Sequence, residues 1–306
     1  MWYMENECSL VCSRGILKSC DFHSPTPRSS CSNDVGYLLE MLDSGKMFDG
    51  MSIYVCSDLL NLFVGHFLPK LKHRFTLVSG DSDMVVPYEA ITEADTATLL
   101  ENPSLIRWFA QNAPSPTNPK LVQLPIGMDY HTIAGNPSHC WRVAGDPILP
   151  RDQEILLNQI RASSVPFGSR KMDIFVNFTA NNDRFGQRRT AFNQLTRALL
   201  RFEPKFMPRT QLWNRMKEYA FVLSPFGMGM DCHRTWEALA LGCIPIIQTR
   251  ALAPLFVDLP VLCVDNWLDI TPQLLATTIA EFGQRTFRYE HMQLEYWVGL
   301  IRGASS

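Results

Sequence analysis

Residues 224–247 read SPFGMGMDCHRTWEALALGCIPII. Gly227 and Gly229 precede Asp231, His233, Arg234 and Glu237, and each residue type suits a phosphorylated ligand. Glycines tolerate backbone angles that other residues resist, and they let a ligand approach the main chain. Asp231 stands where a helix N-cap is expected. The free amides behind such a cap attract phosphate, helped by the helix dipole. Cys232, Trp236, Leu239 and Ala240 share one apolar face at helical spacing, which turns His233, Arg234 and Glu237 to the other. Arg234 suits a diphosphate. Glu237, a turn further on, suits a pair of ribose hydroxyls. An amphipathic helix with a surface Arg234–Glu237 pair explains the same residues without a ligand. Position favours the ligand: the glycine loop, opening at Ser224, and the charged face share one helix start at a strand's carboxyl end.

Two further places carry related groups. TANNDRFGQRR follows the apolar run 172–178 and supplies Arg184, Arg188 and Arg189. Such cations suit a leaving diphosphate, a task a metal performs elsewhere. A solvated helix start is the plain alternative. VSGDSDMVVP sets Asp81 and Asp83 behind another apolar run. A carboxylate there suits a general base acting on a hydroxyl, Asp83 before Asp81. Asp58, and Asp129 with His131, are rivals; for each, a capping or turn aspartate is the bland explanation. Asn112 and Gly127 are expected to shape a cleft or junction. Trp297 and Tyr296 are expected to pack a terminal helix.

These groups need strands that end beside them. Residues 51–57, 74–80, 120–127, 172–178, 219–223, 243–248 and 260–264 read as strands. Residues 59–71, 94–100, 104–111, 153–162, 187–202 and 231–241 read as helices. Such alternation predicts an α/β fold with parallel sheets covered by helices. Pro and Gly over 136–150 place a boundary near 150. The expected organisation is an irregular arm (1–35), a Rossmann-like domain (36–150), a second Rossmann-like domain (151–285) and a terminal helix (286–306) packing back on the first. Open sheets bind ligands beyond the carboxyl ends of their strands, so the two domains are expected to face across a cleft.

The totals set limits. A chain of 306 residues, 46% hydrophobic, is globular and holds one large or two ordinary domains. A net charge of -2 without basic runs gives no footprint for nucleic acid. No apolar run reaches about 18 residues, so no membrane span is expected. The opening MWYMENECSLVCSRG has early acids and no apolar core of signal length, so a cytoplasmic location is expected. Cys8, Cys12, Cys20 and Cys31 crowd around His23 without the paired spacing of a zinc site. No metal is assigned there, and a poorly packed leader is expected. Cys56, Cys232, Cys243 and Cys263 lie in or beside apolar runs, as reduced core cysteines do.

FVLSPFGMGMDCHRTWEALALGCIPII resembles the donor-site segment of exostosin-like (family 47-like) glycosyltransferases. There a strand leads into S/C-P-x-G and then R-x-W/F-E-A-L-x-x-G-C-I-P-V/I. LIRWFAQNA, KLVQLPIGMDYHT and IFVNFTANNDRFGQRRTAF are weaker echoes of small members from algae and large viruses. The resemblance implies GT-B architecture, with the acceptor-side domain first and the nucleotide-sugar domain second. It implies inverting transfer from a nucleotide-sugar donor, a UDP-sugar such as UDP-xylose, to a glycan hydroxyl, with no metal or other cofactor. On that pattern Asp83 or Asp81 is the base. Arg188 or Arg189, with Ser224, Gly227, Gly229, Asp231, His233, Arg234 and Glu237, holds the donor. The family's membrane anchor and stem find no counterpart, so a cytoplasmic setting, the host's if the gene is viral, replaces a Golgi one. Two alternatives stay open. A GT-A enzyme would use Asp81 and Asp83 on a metal, although several strand-helix units normally precede that motif. A non-catalytic nucleotide-sugar-binding protein would keep the pocket alone.

Overall fold

The computed structural model describes residues 4–25, 35–203, 207–248 and 251–303. The first parallel sheet runs β1 (Met51–Cys56), β2 (Phe75–Gly80), β3 (Leu105–Gln111), β4 (Leu121–Leu124) in that spatial order. β1 and β2 are buried at every position, which explains apolar runs without alternation. Helices α1 (Ser13–Ser19), α2 (Gly36–Asp43), α3 (Leu60–Leu62), α4 (Glu93–Glu101) and α5 (His131–Gly135) belong to this half of the chain.

The second half holds β5 (Lys171–Val176), β6 (Leu200–Phe202), β7 (Tyr219–Leu223), β8 (Ile244–Ile247) and β9 (Leu262–Cys263). They form a second parallel sheet in the order β6-β5-β7-β8-β9. Its helices are α6 (Pro150–Ala162), α7 (Gln187–Gln194), α8 (Arg209–Met216), α9 (His233–Ala240), α10 (Ala253–Phe256), α11 (Pro272–Phe282) and α12 (Leu294–Gly303). The fold is therefore mixed α/β with two parallel sheets. No helix among the described residues is long and apolar enough to cross a membrane.

Several expected elements differ. Residues 105–111 form a strand, not a helix. β3 is laddered on both sides, and Trp108 and Phe109 are buried between its neighbours, so sheet pairing overrides the helical spacing. The helix expected over 59–71 is a chain of short turns, in which Pro69 offers no amide for a continuous ladder. The helix expected over 187–202 stops at Gln194, and the chain then returns as the edge strand β6. Cys263, expected in the core, is exposed.

The arm expected to be irregular is built into the core. Cys8, Val11, Cys12, Ile16, Leu17 and Cys20 join one buried cluster with Tyr54 and Val78 of the first sheet and Phe175 and Val222 of the second. Three single bridges tie it down: Leu10 to Gln293, Cys12 to Gly127 and Phe22 to Ile53. The Glu154 carboxylate of α6 accepts the Ser9 and Leu10 amides at 2.8 and 2.9 Å. Cys12 and Cys20 donate to backbone carbonyls, and burial pushes the Cys12 thiol up to about 12. Among the described residues no group of three or more His, Cys, Asp or Glu has the placement to hold a metal, and Cys31 lies outside them. The other chain end meets the arm: α12 packs on α1, and Trp297 is buried with its indole N–H on the His291 carbonyl.

Gly127 marks where the arm crosses the end of the first sheet. Its φ is +67°, and a Cβ there would stand 2.0 Å from the Val11 carbonyl oxygen. We expect Gly127→Ala to destabilise the fold by about 2–4 kcal/mol in urea unfolding. Gly135→Ala, where a Cβ meets nothing within 4 Å, stays within about 0.5 kcal/mol.

Candidate functional site

A cavity of about 410 Å³ opens between the carboxyl ends of the two sheets. Asp83, which follows β2, and Ile126 and Asp129, which follow β4, line one wall. Asn177, Phe178 and Thr179 follow β5, Gly227 to Gly229 follow β7, and Arg188 of α7, Arg209, Leu212 and Met216 of α8, and His233, Arg234 and Glu237 of α9 continue the facing wall.

Arg188 and Arg234 both lie against the Phe178 ring, their guanidinium carbons 5.3 and 5.0 Å from its centroid. Arg188 donates Nε to the Phe226 carbonyl and Nη1 to the Thr179 carbonyl, each at 3.1 Å. Arg234 Nη1 is buried, with no hydrogen-bond partner among the described residues, and burial lowers its pKa to about 10. Arg189, the alternative to Arg188, points elsewhere: its side chain is 70% exposed and pairs with Asp183 at 3.3 Å. Arg184 bridges the two halves, donating to the Asp83 carbonyl at 3.1 Å and to the Glu89 carboxylate at 2.6 Å.

The two loop glycines act through missing side chains, not through unusual backbone angles. Neither has a positive φ. A Cβ on Gly227 would meet Arg188 Nη2 at 2.5 Å, and one on Gly229 would meet Asp83 and Asn112 at 3.1 Å. The loop therefore admits an arginine of its own half and two side chains of the other.

Asp231 does not cap α9, which begins at His233 behind Cys232. Its carboxylate is buried and spans the halves. Oδ2 accepts the Ile126 amide at 2.8 Å, Oδ1 accepts the Cys232 amide at 2.8 Å, and the Trp236 indole N–H donates to both. Its own amide donates to Asn112 Oδ1 at 2.9 Å. Asp231 lines the cavity, but its carboxylate oxygens are engaged by these donors. Ser224 is likewise structural: its hydroxyl sits 2.8 Å from that of Thr235, away from the cavity lining.

Glu237 lines the cavity and is buried, which raises its pKa. It does not pair with Arg234 on a surface; its nearest cation is Arg209 at 3.8 Å. Arg209 carries no motif and was not expected. It lies between the Trp141 and Trp213 rings, at 5.1 and 5.8 Å, and pairs with Asp129 at 3.1 Å. Burial works to raise the Asp129 pKa, but His131, Arg209 and His233 together hold it well below the usual carboxylate range.

The two candidate bases differ. Asp81 does not line the cavity; it is ion-paired with Arg14 at 3.0 Å, both buried, and its φ is +59°. Burial outweighs that pair and raises its carboxyl to about 6. Asp83 lines the cavity at its mouth, with much of its surface exposed. Partial desolvation raises its pKa, opposed by the charges of Arg184 and His233. His233 Nδ1 lies 2.7 Å from the Gly127 carbonyl, and the His131 ring meets it edge-on at 5.9 Å.

Neither a protein-family model nor a curated protein matches this chain.

His131 gives the site a titration. Burial lowers its pKa from 6.5 to about 4, against the pull of Asp129. The unfolded chain therefore takes up this proton first as pH falls, and stability is lost on acidification through that window. Asn at this position keeps a donor to Asp129 without the titration. From about pH 7 to about pH 4.5, His131→Asn should lose about 2 kcal/mol less unfolding free energy than wild type in urea titrations.

Proposed function

We propose that the protein is a glycosyltransferase of GT-B architecture that moves a sugar from a nucleotide-sugar to a glycan hydroxyl. One observation carries this reading: Arg188 and Arg234 converge on one aromatic plate beside the glycine loop, with Arg234 Nη1 buried and unpartnered among the described residues. An unsatisfied buried guanidinium donor is costly unless a ligand meets it. Two cations suit a diphosphate, and in a partly desolvated cavity they stabilise the charge that develops on a leaving diphosphate. The positive charge comes from side chains, so transfer proceeds without a metal.

Glu237, deeper along the same helix, receives the ribose hydroxyls. UDP is the nucleotide and UDP-xylose a candidate donor. The acceptor enters along the wall of the first sheet and attacks from the face opposite the diphosphate, which inverts the anomeric carbon. Its hydroxyl needs a base within reach. Of the two aspartates expected in that role, only Asp83 reaches the cavity. The GT-A alternative asks Asp81 and Asp83 to share a metal, whereas the Asp81 carboxylate is held by Arg14.

UDP is expected to raise the melting point in excess chelator. A rise that requires manganese would overturn the metal-free reading. Arg234→Met should weaken UDP binding about 10- to 100-fold, the worth of one charged hydrogen bond, while Arg189→Ala binds as wild type. Equal affinity of Arg234→Met and wild type in calorimetry would remove the diphosphate from this site.

A further inference from the structure

We infer that His233, not an aspartate, takes the proton from the acceptor hydroxyl. This rests on the transferase reading above. The hydrogen bond to the Gly127 carbonyl carries the assignment. A carbonyl only accepts, so Nδ1 bears the hydrogen, and the neutral tautomer compatible with this bond has its lone pair on Nε2. The backbone of one half thus fixes the tautomer of a base mounted on the other.

Its place fits the task. His233 lines the cavity and is the neighbour in sequence of Arg234, the diphosphate ligand, so base and leaving group share one rigid helix start. The carboxylates of Asp81, Asp83, Asp129, Asp231 and Glu237 all interact electrostatically with the His233 ring, with His131 opposing. An imidazolium formed there arrives among anions. Asp83, by contrast, stands at the solvent-facing mouth with its own carbonyl clamped by Arg184.

The step balances. The acceptor oxygen forms its bond to the anomeric carbon as its proton passes to Nε2. The bond from that carbon to the diphosphate oxygen breaks, and its electron pair leaves with the diphosphate facing Arg188 and Arg234.

His233→Asn separates this role from donor binding, because the Asn amide keeps a donor for the Gly127 carbonyl and lacks Nε2. UDP affinity is measured by calorimetry. Turnover is measured as UDP release from UDP-xylose and UDP-glucose, with water and with oligosaccharides as acceptors. We expect UDP affinity within about 3-fold of wild type and turnover lowered about 100-fold or more. Nitrogen-15 spectra of the unliganded wild-type protein should show His233 protonated on Nδ1 and bare on Nε2. Retained turnover in His233→Asn, loss of UDP binding in step with turnover, or an Nε2-protonated tautomer would each overturn the assignment. If wild-type protein binds no UDP, the transferase reading itself falls, and the binding arm reports that separately.

Discussion

The buried carboxylate of Asp231 fixes the cleft. It accepts an amide from the first half of the chain and an amide and an indole N–H from the second. Burial pushes its carboxyl up to about 6, so the site bears a desolvation cost that only these donors offset. Because α9 starts two residues later, His233, Arg234 and Glu237 inherit their positions relative to the first sheet from this one group. Asn112 completes the staple from a left-handed backbone position, φ +53°, receiving the Asp231 amide on its side-chain oxygen.

Around that staple the ionisable groups divide into two kinds. Asp81 is ion-paired with Arg14, and Asp129 with Arg209 and His131, although Arg14 Nη1, like Arg234 Nη1, has no hydrogen-bond partner among the described residues. They hold loops at the sheet ends and leave little capacity for a ligand. Arg188 is half committed, to two carbonyls, and Arg234 keeps a buried donor open. The paired groups define the frame, and Arg234 Nη1 is an open donor on a residue that lines the cavity. Desolvation is common to both kinds; what differs is whether a carboxylate of the protein pairs with the cation.

The strands bordering the site were legible in the sequence because their apolar runs stop at Gly80, Gly127 and Ser224. The 3.6-residue period turned Arg234 and Glu237 to one side of a helix, and the cavity lies on that side. What escaped was decided by long-range pairing. The segment 105–111 has helical spacing and becomes a strand because two neighbours ladder it. Asp231 sits where a cap belongs, yet its side chain answers to Ile126, over a hundred residues earlier. Arg209 has no local signal, since its partners Asp129 and Gln153 lie in other elements. Adjacent arginines could not be ranked by spacing alone: a helix start turns Arg188 inward and Arg189 out, and its exact phase is a tertiary property.

The arm's path has a consequence for how the chain assembles. Residues 9–12 pair with the end of β4, with Glu154 and with residues 292–294. This segment is thus locked by partners that lie far later in the chain. Until those partners exist, its apolar residues and Arg14 have nowhere to settle, and each half of the chain lacks part of its covering. Contacts of such sequence separation are slow to form, since a long loop must close before they contribute. Assembly should therefore finish at the seam where these distant segments meet, making that seam the last stitch of folding.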